Sequence, residues 1–324
     1  MMLPRMGLGC MNLSHAYGIP PSEDDGLALL RTALDSGVTH LDTATLYGGG
    51  RNEELVGRAL RGRRDEVVLA SKGGMAMVDG VKVIDGRPEA LRAQVDASLT
   101  RLGVDHIDLY YLHRWDRTVP IGESVAALAA LVDAGKIGAI GLSEVSVARL
   151  REARQVAPIA AVQNEYSLWS RNPELGMLEE TRSSGIALVA FSPLARGFLS
   201  DSIADPTALA EQDIRRSMPR FSSENWPANA ALLPAWRAIA AEAGATPAQL
   251  ALAWVLSRGE HVVPIPGTTS ADHLRDDVAA LELSVDAALL ERAGELISTA
   301  TVAGPRYAPG PAAEVDAESF EDAR

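Results

Sequence analysis

The chain has 324 residues, of which 47% are hydrophobic, a mean hydropathy of +0.03, a formal net charge of −13 and a pI near 5.0. That length holds two average domains or one large α/β barrel, and the acidic balance argues against a nucleic-acid partner, which demands a basic face. A single cysteine, Cys10, rules out an intrachain disulfide, and with no secretory-type start and no run of roughly 18 apolar residues the sequence predicts a cytoplasmic protein without a membrane partner.

Short apolar runs alternate with longer amphipathic ones along the chain. The first predicted strand is 6–10, followed by a helix over 22–36 that Ser22 caps. Strand 38–42 then leads to helix 52–61, and strand 67–71 to helix 88–102, which Pro88 opens. Strands 107–113, 139–143 and 159–164 are followed by helices 121–134, 146–155 and 173–184. After strand 186–192 the rhythm breaks at a long insert, 197–230. Thr246-Pro247 then starts a helix over 247–258, strand 262–265 follows, and a helix over 271–280 closes the series. Gly37, Gly103, Gly135 and Gly185 stand where four of these helices end. The strands are apolar without alternation, the pattern of strands buried on both faces.

Eight such βα units predict one closed (β/α)8 TIM barrel spanning residues 1–324. The competing fold, a doubly wound open sheet, needs a Gly-rich turn leading straight into a helix, and Gly7-Leu-Gly9-Cys10-Met11-Asn12 does not supply one. An insert as long as 197–230 marks a segment that is either functional or disordered. The tail from Thr301 is rich in Pro, Gly and acids, and 312–324 is expected to be mobile.

In such a barrel the chemistry sits at the C-terminal strand ends. Strand two ends in Asp42-Thr-Ala-Thr-Leu-Tyr47, strand three in Ser71-Lys72, and strand four in Tyr110-Tyr-Leu-His113. Taken singly, Asp42 reads as a turn cap, Tyr47 as packing, Lys72 as a solvated strand end and His113 as a structural histidine. Together they bring a carboxylate, a phenol, an ammonium and an imidazole from three successive strands onto one rim. That is an acid–base set in which the phenol can give a proton and its neighbours can lower the cost of ionisation. The six histidines form no His-x-x-x-His pair and join no cysteine cluster, so no metal is expected.

The pattern Asp42-Thr-Ala-x-x-Tyr47-Gly48, then Ser71-Lys72, then Tyr110-Tyr-Leu-His113 resembles the aldo-keto reductases, most nearly the bacterial and fungal branch that includes pyridoxal reductases. The resemblance runs from Leu8-Gly9-Cys10-Met11 to Gly304-Pro305-Arg306-Tyr307. It implies an NAD(P)H-dependent reduction of an aldehyde or ketone. Tyr47 would be the general acid, Lys72 would lower its pKa, Asp42 would hold Lys72, and His113 would orient the carbonyl. Ser143 and Gln163, with Asn164 beside them, would grip the nicotinamide carboxamide and Phe191 would stack on the ring. Ser192, Leu194, Arg196 and Gly197 would cradle the pyrophosphate, with the insert as a lid. Gly267, Thr268, Thr269, His273, Asp276 and Asp277 would meet the adenosine end.

This last segment departs from the family pattern. NADP-dependent relatives offer cations to the 2′-phosphate there and an Asn to adenine. Here the early positions are Thr and Ser, His273 stands near the usual Arg, and Asp277 replaces the Asn. Only Arg275 is a permanent cation, among Asp272, Asp276 and Asp277, so a divalent phosphate is poorly matched: the resemblance implies NADP, with its preference expected to be weakened and NAD also used. Tyr17, Trp115 and Trp169, on loops after strands one, four and six, with Trp226 and Tyr307 folding over from insert and tail, would wall a pocket for hydrophobic or ring-bearing carbonyls. Two other functions fit the same fold: a cofactor-binding redox-sensing subunit with little turnover, and a Schiff-base lyase with Lys72 as nucleophile.

Overall fold

Eight parallel strands pair in chain order in the computed structural model, which describes residues 2–14 and 16–320. They are β1 (Leu8–Gly9), β2 (His40–Asp42), β3 (Val68–Gly73), β4 (Ile107–Leu112), β5 (Ile137–Ser143), β6 (Ile159–Glu165), β7 (Ala187–Phe191) and β8 (Val262–Ile265). The seam between β8 and β1 is closed by two backbone bonds. Gly7 N–H donates to the Pro264 carbonyl at 3.0 Å and Gly9 N–H to the Pro266 carbonyl at 2.9 Å. Glycine is needed at this seam, because a Cβ on Gly9 would lie 2.9 Å from the Ile265 carbonyl oxygen and one on Gly267 would lie 2.8 Å from that of Gly9. The predicted (β/α)8 barrel is the observed fold.

Small and branched residues fill the barrel interior, among them Ala70, Leu109, Ala161, Val189 and Val263, with the ring of Tyr111 fully buried among them and Phe191 packed against the cluster. The larger core lies between the strands and a ring of helices. These are α1 (Glu23–Asp35), α2 (Arg51–Ala59), α3 (Pro88–Leu102), α4 (Ile121–Asp133), α5 (Val147–Arg154), α6 (Met177–Ser184), α7 (Pro247–Leu256) and α8 (Ala271–Ala279). Their starts follow the sequence signals. The side chains of Ser22, Ser146 and Ser270 each accept a backbone N–H of the first turn, and Thr246 forms a reciprocal capping box with Gln249.

Three features lie outside the predicted elements. A β-hairpin pairs Met75–Val78 with Val81–Ile84 between β3 and α3. Its turn is Asp79-Gly80, both at positive φ, a two-residue hairpin signal that is present in the sequence. Helices Leu233–Glu242 and Ala287–Leu296 pack on each other and on α7. The insert after β7 is built from 3₁₀ turns and the short helix Trp226–Ala230.

The tail, expected to be mobile from 312, is tied to the barrel as far as the described residues run. Its acids cap the N-terminus of α5, where free N–H groups and the helix dipole favour a carboxylate. Asp316 accepts from the Ser146 N–H at 3.0 Å and hydroxyl at 2.8 Å, and Glu318 from the Val147 N–H at 2.7 Å. Residues 321–324 lie outside the described residues. No single helix among the described residues is long and apolar enough to cross a membrane.

Candidate active site

The four rim residues converge at the C-terminal mouth of the barrel. Lys72, on β3 and 1% exposed, carries the arrangement. Its ammonium is ion-paired with the Asp42 carboxylate, donates to the Thr43 carbonyl at 3.0 Å, and lies 3.3 Å from the Tyr47 hydroxyl. The other Asp42 oxygen accepts from the Gln163 side-chain amide at 2.8 Å. His113 meets Tyr47 edge-on, with ring centroids 5.9 Å apart.

The electrostatics sort these groups into distinct protonation states. Burial pulls the Lys72 ammonium towards deprotonation, but Asp42 and Tyr47 outweigh it and the pKa rises, so the lysine is charged. Burial raises the Tyr47 phenol above its ordinary value while the Lys72 charge pulls it back. The expected lowering by Lys72 is therefore present as an opposing pull, and the net direction at Tyr47 is upward. Burial, then the charges of Arg114 and Lys72, hold His113 well below the usual imidazole range. His113 is neutral, and its buried Nδ1 has no hydrogen-bond partner among the described residues. Burial pushes the Cys10 thiol up to about 12, which leaves it inert.

Asp42, Tyr47 and His113 open onto a cavity of about 640 Å³, in the range of cofactor and ligand sites. Of the residues expected at the cofactor, Ser143, Gln163, Phe191, Ser192, Leu194, Arg196, Gly197, Gly267, Thr268, Thr269, His273, Asp276 and Asp277 line it, whereas Asn164 is buried behind the wall and accepts the Glu144 N–H at 3.0 Å. The turn at 192–197 is sharply folded, with Ser192, Ala195, Arg196 and Gly197 all at positive φ.

Arg196, however, does not offer its guanidinium to the turn. It is 8% exposed at the side chain, ion-paired with Glu165 at 2.7 Å, and donates to the hydroxyls of Tyr17 at 2.9 Å and Tyr307 at 3.0 Å. Burial would raise the Glu165 carboxyl, but Arg196, Arg306 and Arg220 outweigh it and bring it to about 2. This network joins the ends of β5 and β6 to the loop after β7 and to the tail, with Arg306 paired to Glu144.

Of the aromatic residues expected at the substrate, Tyr17 and Tyr307 line the cavity and three tryptophans do not. Trp115 donates its indole N–H to the Val119 carbonyl at 3.0 Å and lies under the Arg149 guanidinium. Trp169 stacks on Phe198 with centroids 4.1 Å apart and meets Phe221 edge-on. Trp226 stacks on Phe221 at 5.7 Å. Trp169 and Trp226 thus anchor the insert, because four large rings bury more apolar surface against one another than a polar pocket wall offers. The wall instead gains Met75 and Lys82 of the hairpin, Arg114 after His113, and Glu314 of the tail. The Asp79-Gly80 turn is a sequence signal for the hairpin that carries Met75 and Lys82, and Arg114 was within reach as the neighbour of His113, whereas no motif marks Glu314.

At the far end of the cavity Arg275 is paired with Asp272 at 2.6 Å on the surface. Burial, then the neighbouring Asp276, push the Asp277 carboxyl up to about 7. A carboxyl raised on folding contributes stability below its unfolded pKa of 3.8 and loses it as the pH rises through 7. Asp277→Asn is therefore expected to raise the Tm at pH 8 and to leave it little changed at pH 4. Thermal melts at the two pH values check this, and equal shifts at both would contradict it. Among the described residues no group of His, Cys, Asp and Glu side chains is placed to hold a metal ion.

Comparison with known proteins follows the same lines. The model of the aldo/keto reductase family matches residues 5–297. The chain is 40% identical over 320 residues to the aldo-keto reductase yakc [NADP(+)] of Schizosaccharomyces pombe, covering 97% of this chain and 94% of that one. It is 41% identical over 308 residues to probable aldo-keto reductase 1 of Glycine max, covering 94% and 89%. Among solved structures, the glycerol dehydrogenase of Gluconobacter oxydans superposes with a TM-score of 0.82 at 29% identity, covering 95% of this chain and 94% of that one.

Proposed function

The chain belongs to the aldo/keto reductase family, and from that premise we propose that it is a cytoplasmic reductase of small-molecule aldehydes or ketones that uses NADPH or NADH. The observation that carries the reading is the buried Asp42–Lys72–Tyr47 chain ending on a cavity beside a neutral His113. The residues present fit a nicotinamide dinucleotide. Phe191 stands half-buried on the cavity wall, and His113, whose buried Nδ1 has no partner among the described residues, lines the same cavity.

When bound, the reduced nicotinamide supplies the hydride that the carbonyl carbon receives. Tyr47 gives its proton to the carbonyl oxygen. The raised phenol pKa keeps that proton in place until charge develops on the oxygen, and the charged Lys72 stabilises the phenolate left behind. Asp42 fixes Lys72 and is itself steadied by Gln163. His113, neutral, orients the carbonyl by hydrogen bonding. Ser143, Gln163 and Phe191 would hold the nicotinamide. Ser192, Leu194 and Gly197 would hold the pyrophosphate, with Arg196 contributing backbone while its side chain stays on Glu165. A raised Lys72 pKa disfavours the Schiff-base reading, which needs a neutral amine.

The S. pombe relative is named for NADP(+), yet the adenosine end of this cavity presents Thr268, Thr269, His273, Asp276 and Asp277. The ratio of kcat/KM for NADPH over NADH is expected to stay below about tenfold, since Arg275, the cation of this segment, is already paired with Asp272 and leaves a dianionic phosphate poorly matched. Steady-state kinetics with both cofactors and 4-nitrobenzaldehyde check this, and a hundredfold preference for NADPH would contradict it.

A further inference from the structure

The cations on the cavity wall differ in how they are neutralised. Arg196 is paired with Glu165, Arg215 with Asp213 at 2.6 Å, and Lys82 with Glu314 at 2.6 Å. Lys72, beneath the wall, is paired with Asp42. Arg114 also lines the cavity, and no carboxylate stands within ion-pair distance of it among the described residues. Its Nη1 donates to two neutral oxygens, the His113 carbonyl at 2.7 Å and the Ser143 hydroxyl at 3.3 Å. Its Nε is buried with no hydrogen-bond partner among the described residues.

A buried guanidinium nitrogen without an acceptor is costly, and Arg is the side chain whose planar fork matches a carboxylate. The position of Arg114 sets which carboxylate that is. It follows His113 directly in the chain, and its charge acts on both His113 and Tyr47. Every other cation of the wall is balanced by its own acid, so this one positive charge stands uncancelled at the catalytic end of the cavity. The acidic pair Asp276 and Asp277 lies at the opposite, adenosine end.

We propose that Arg114 is a specificity-determining residue that binds an anionic group of the substrate, so that the preferred substrates are aldehydes or ketones bearing a carboxylate. This rests on the carbonyl-reductase reading above and narrows it. The apolar part of such a molecule would lie against Leu46, Met75 and Tyr17, which share the wall.

The test uses matched pairs: 4-carboxybenzaldehyde with its methyl ester, and 4-oxobutanoate with its methyl ester. For the wild type, kcat/KM is expected to favour the acid by about thirtyfold, the worth of a hydrogen-bonded pair to a charged group, with most of the difference in KM. In Arg114→Met the acid-to-ester ratio falls to near one, and in Arg114→Lys it is intermediate. The ratio cancels any effect of the substitution common to both substrates, including a shift of Ser143 or His113. Isothermal titration with benzoate in the presence of NADP(+) gives a readout without turnover, in which Arg114→Met weakens binding at least tenfold. A ratio near one in the wild type, or a ratio and a benzoate affinity unchanged in Arg114→Met, overturns the proposal while leaving carbonyl reduction intact. Absence of turnover with both members of each pair, alongside Arg114-dependent benzoate binding, would instead overturn the reductase reading and keep the anion site.

Discussion

Tyr47→Phe is expected to lower kcat for aldehyde reduction about a thousandfold, the range over which a positioned general acid acts, with little change in cofactor affinity. The substitution removes one oxygen and leaves the ring that meets His113 edge-on and sits 5.0 Å from the Lys72 ammonium. Folding should therefore be nearly untouched. The loss falls on the proton that the developing alkoxide requires, so kcat and kcat/KM drop together, the signature of an interaction made only in the transition state. Fluorescence titration of NADPH on the same variant separates binding from chemistry. A tenfold or smaller loss of kcat would mean that another group, His113 foremost, delivers the proton.

Lys72→Met is expected to act on stability as well as on rate. Asp42 is 2% exposed and its carboxylate faces the Lys72 ammonium. Removing the lysine leaves a buried carboxylate with only the Gln163 amide to satisfy it, and breaking a buried pair in this way costs about 3–5 kcal/mol. For a chain of this size that corresponds to a Tm lower by roughly 4–7 °C. Activity falls at least as far as in Tyr47→Phe, since the phenolate loses its counter-charge. The double variant Asp42→Asn/Lys72→Met separates the two effects. It should recover most of the Tm, because no lone charge remains buried, and none of the activity. Recovery of activity in the double variant would show that Lys72 serves the fold alone.

The barrel was legible because its signals are local. Capping residues such as Ser22, Ser146 and Thr246 and the unbroken apolar strands placed each βα unit to within a few residues. The grouping of the four rim residues was legible for a similar reason. Asp42, Lys72 and His113 end or follow consecutive strands, and parallel pairing brings consecutive strand ends together. What stayed hidden depends on contacts between distant segments. The tail reads as loose from its acids and prolines, yet Asp316 and Glu318 find the N-terminus of α5, some 170 residues away. Trp169 and Trp226 read as pocket walls because single aromatic residues carry no direction. Only the positions of Phe198 and Phe221 show that they stack beneath the insert. Arg196 reads as a phosphate ligand until Glu165, Tyr17 and Tyr307 are seen around its guanidinium. The hairpin was a missed local signal: Val78-Asp79-Gly80-Val81 names its own turn.

The account stands on one act of chemistry, the reduction of a carbonyl at the cavity floor where Tyr47 and His113 meet. The most direct test supplies the purified protein with 4-nitrobenzaldehyde and NADPH carrying two deuteriums at C4 of the nicotinamide, and analyses the product by mass spectrometry. The expected result is 4-nitrobenzyl alcohol with a single deuterium on its carbinol carbon, formed by the wild type and nearly absent with Tyr47→Phe. An unlabelled alcohol, or labelled alcohol formed equally well by Tyr47→Phe, would contradict it.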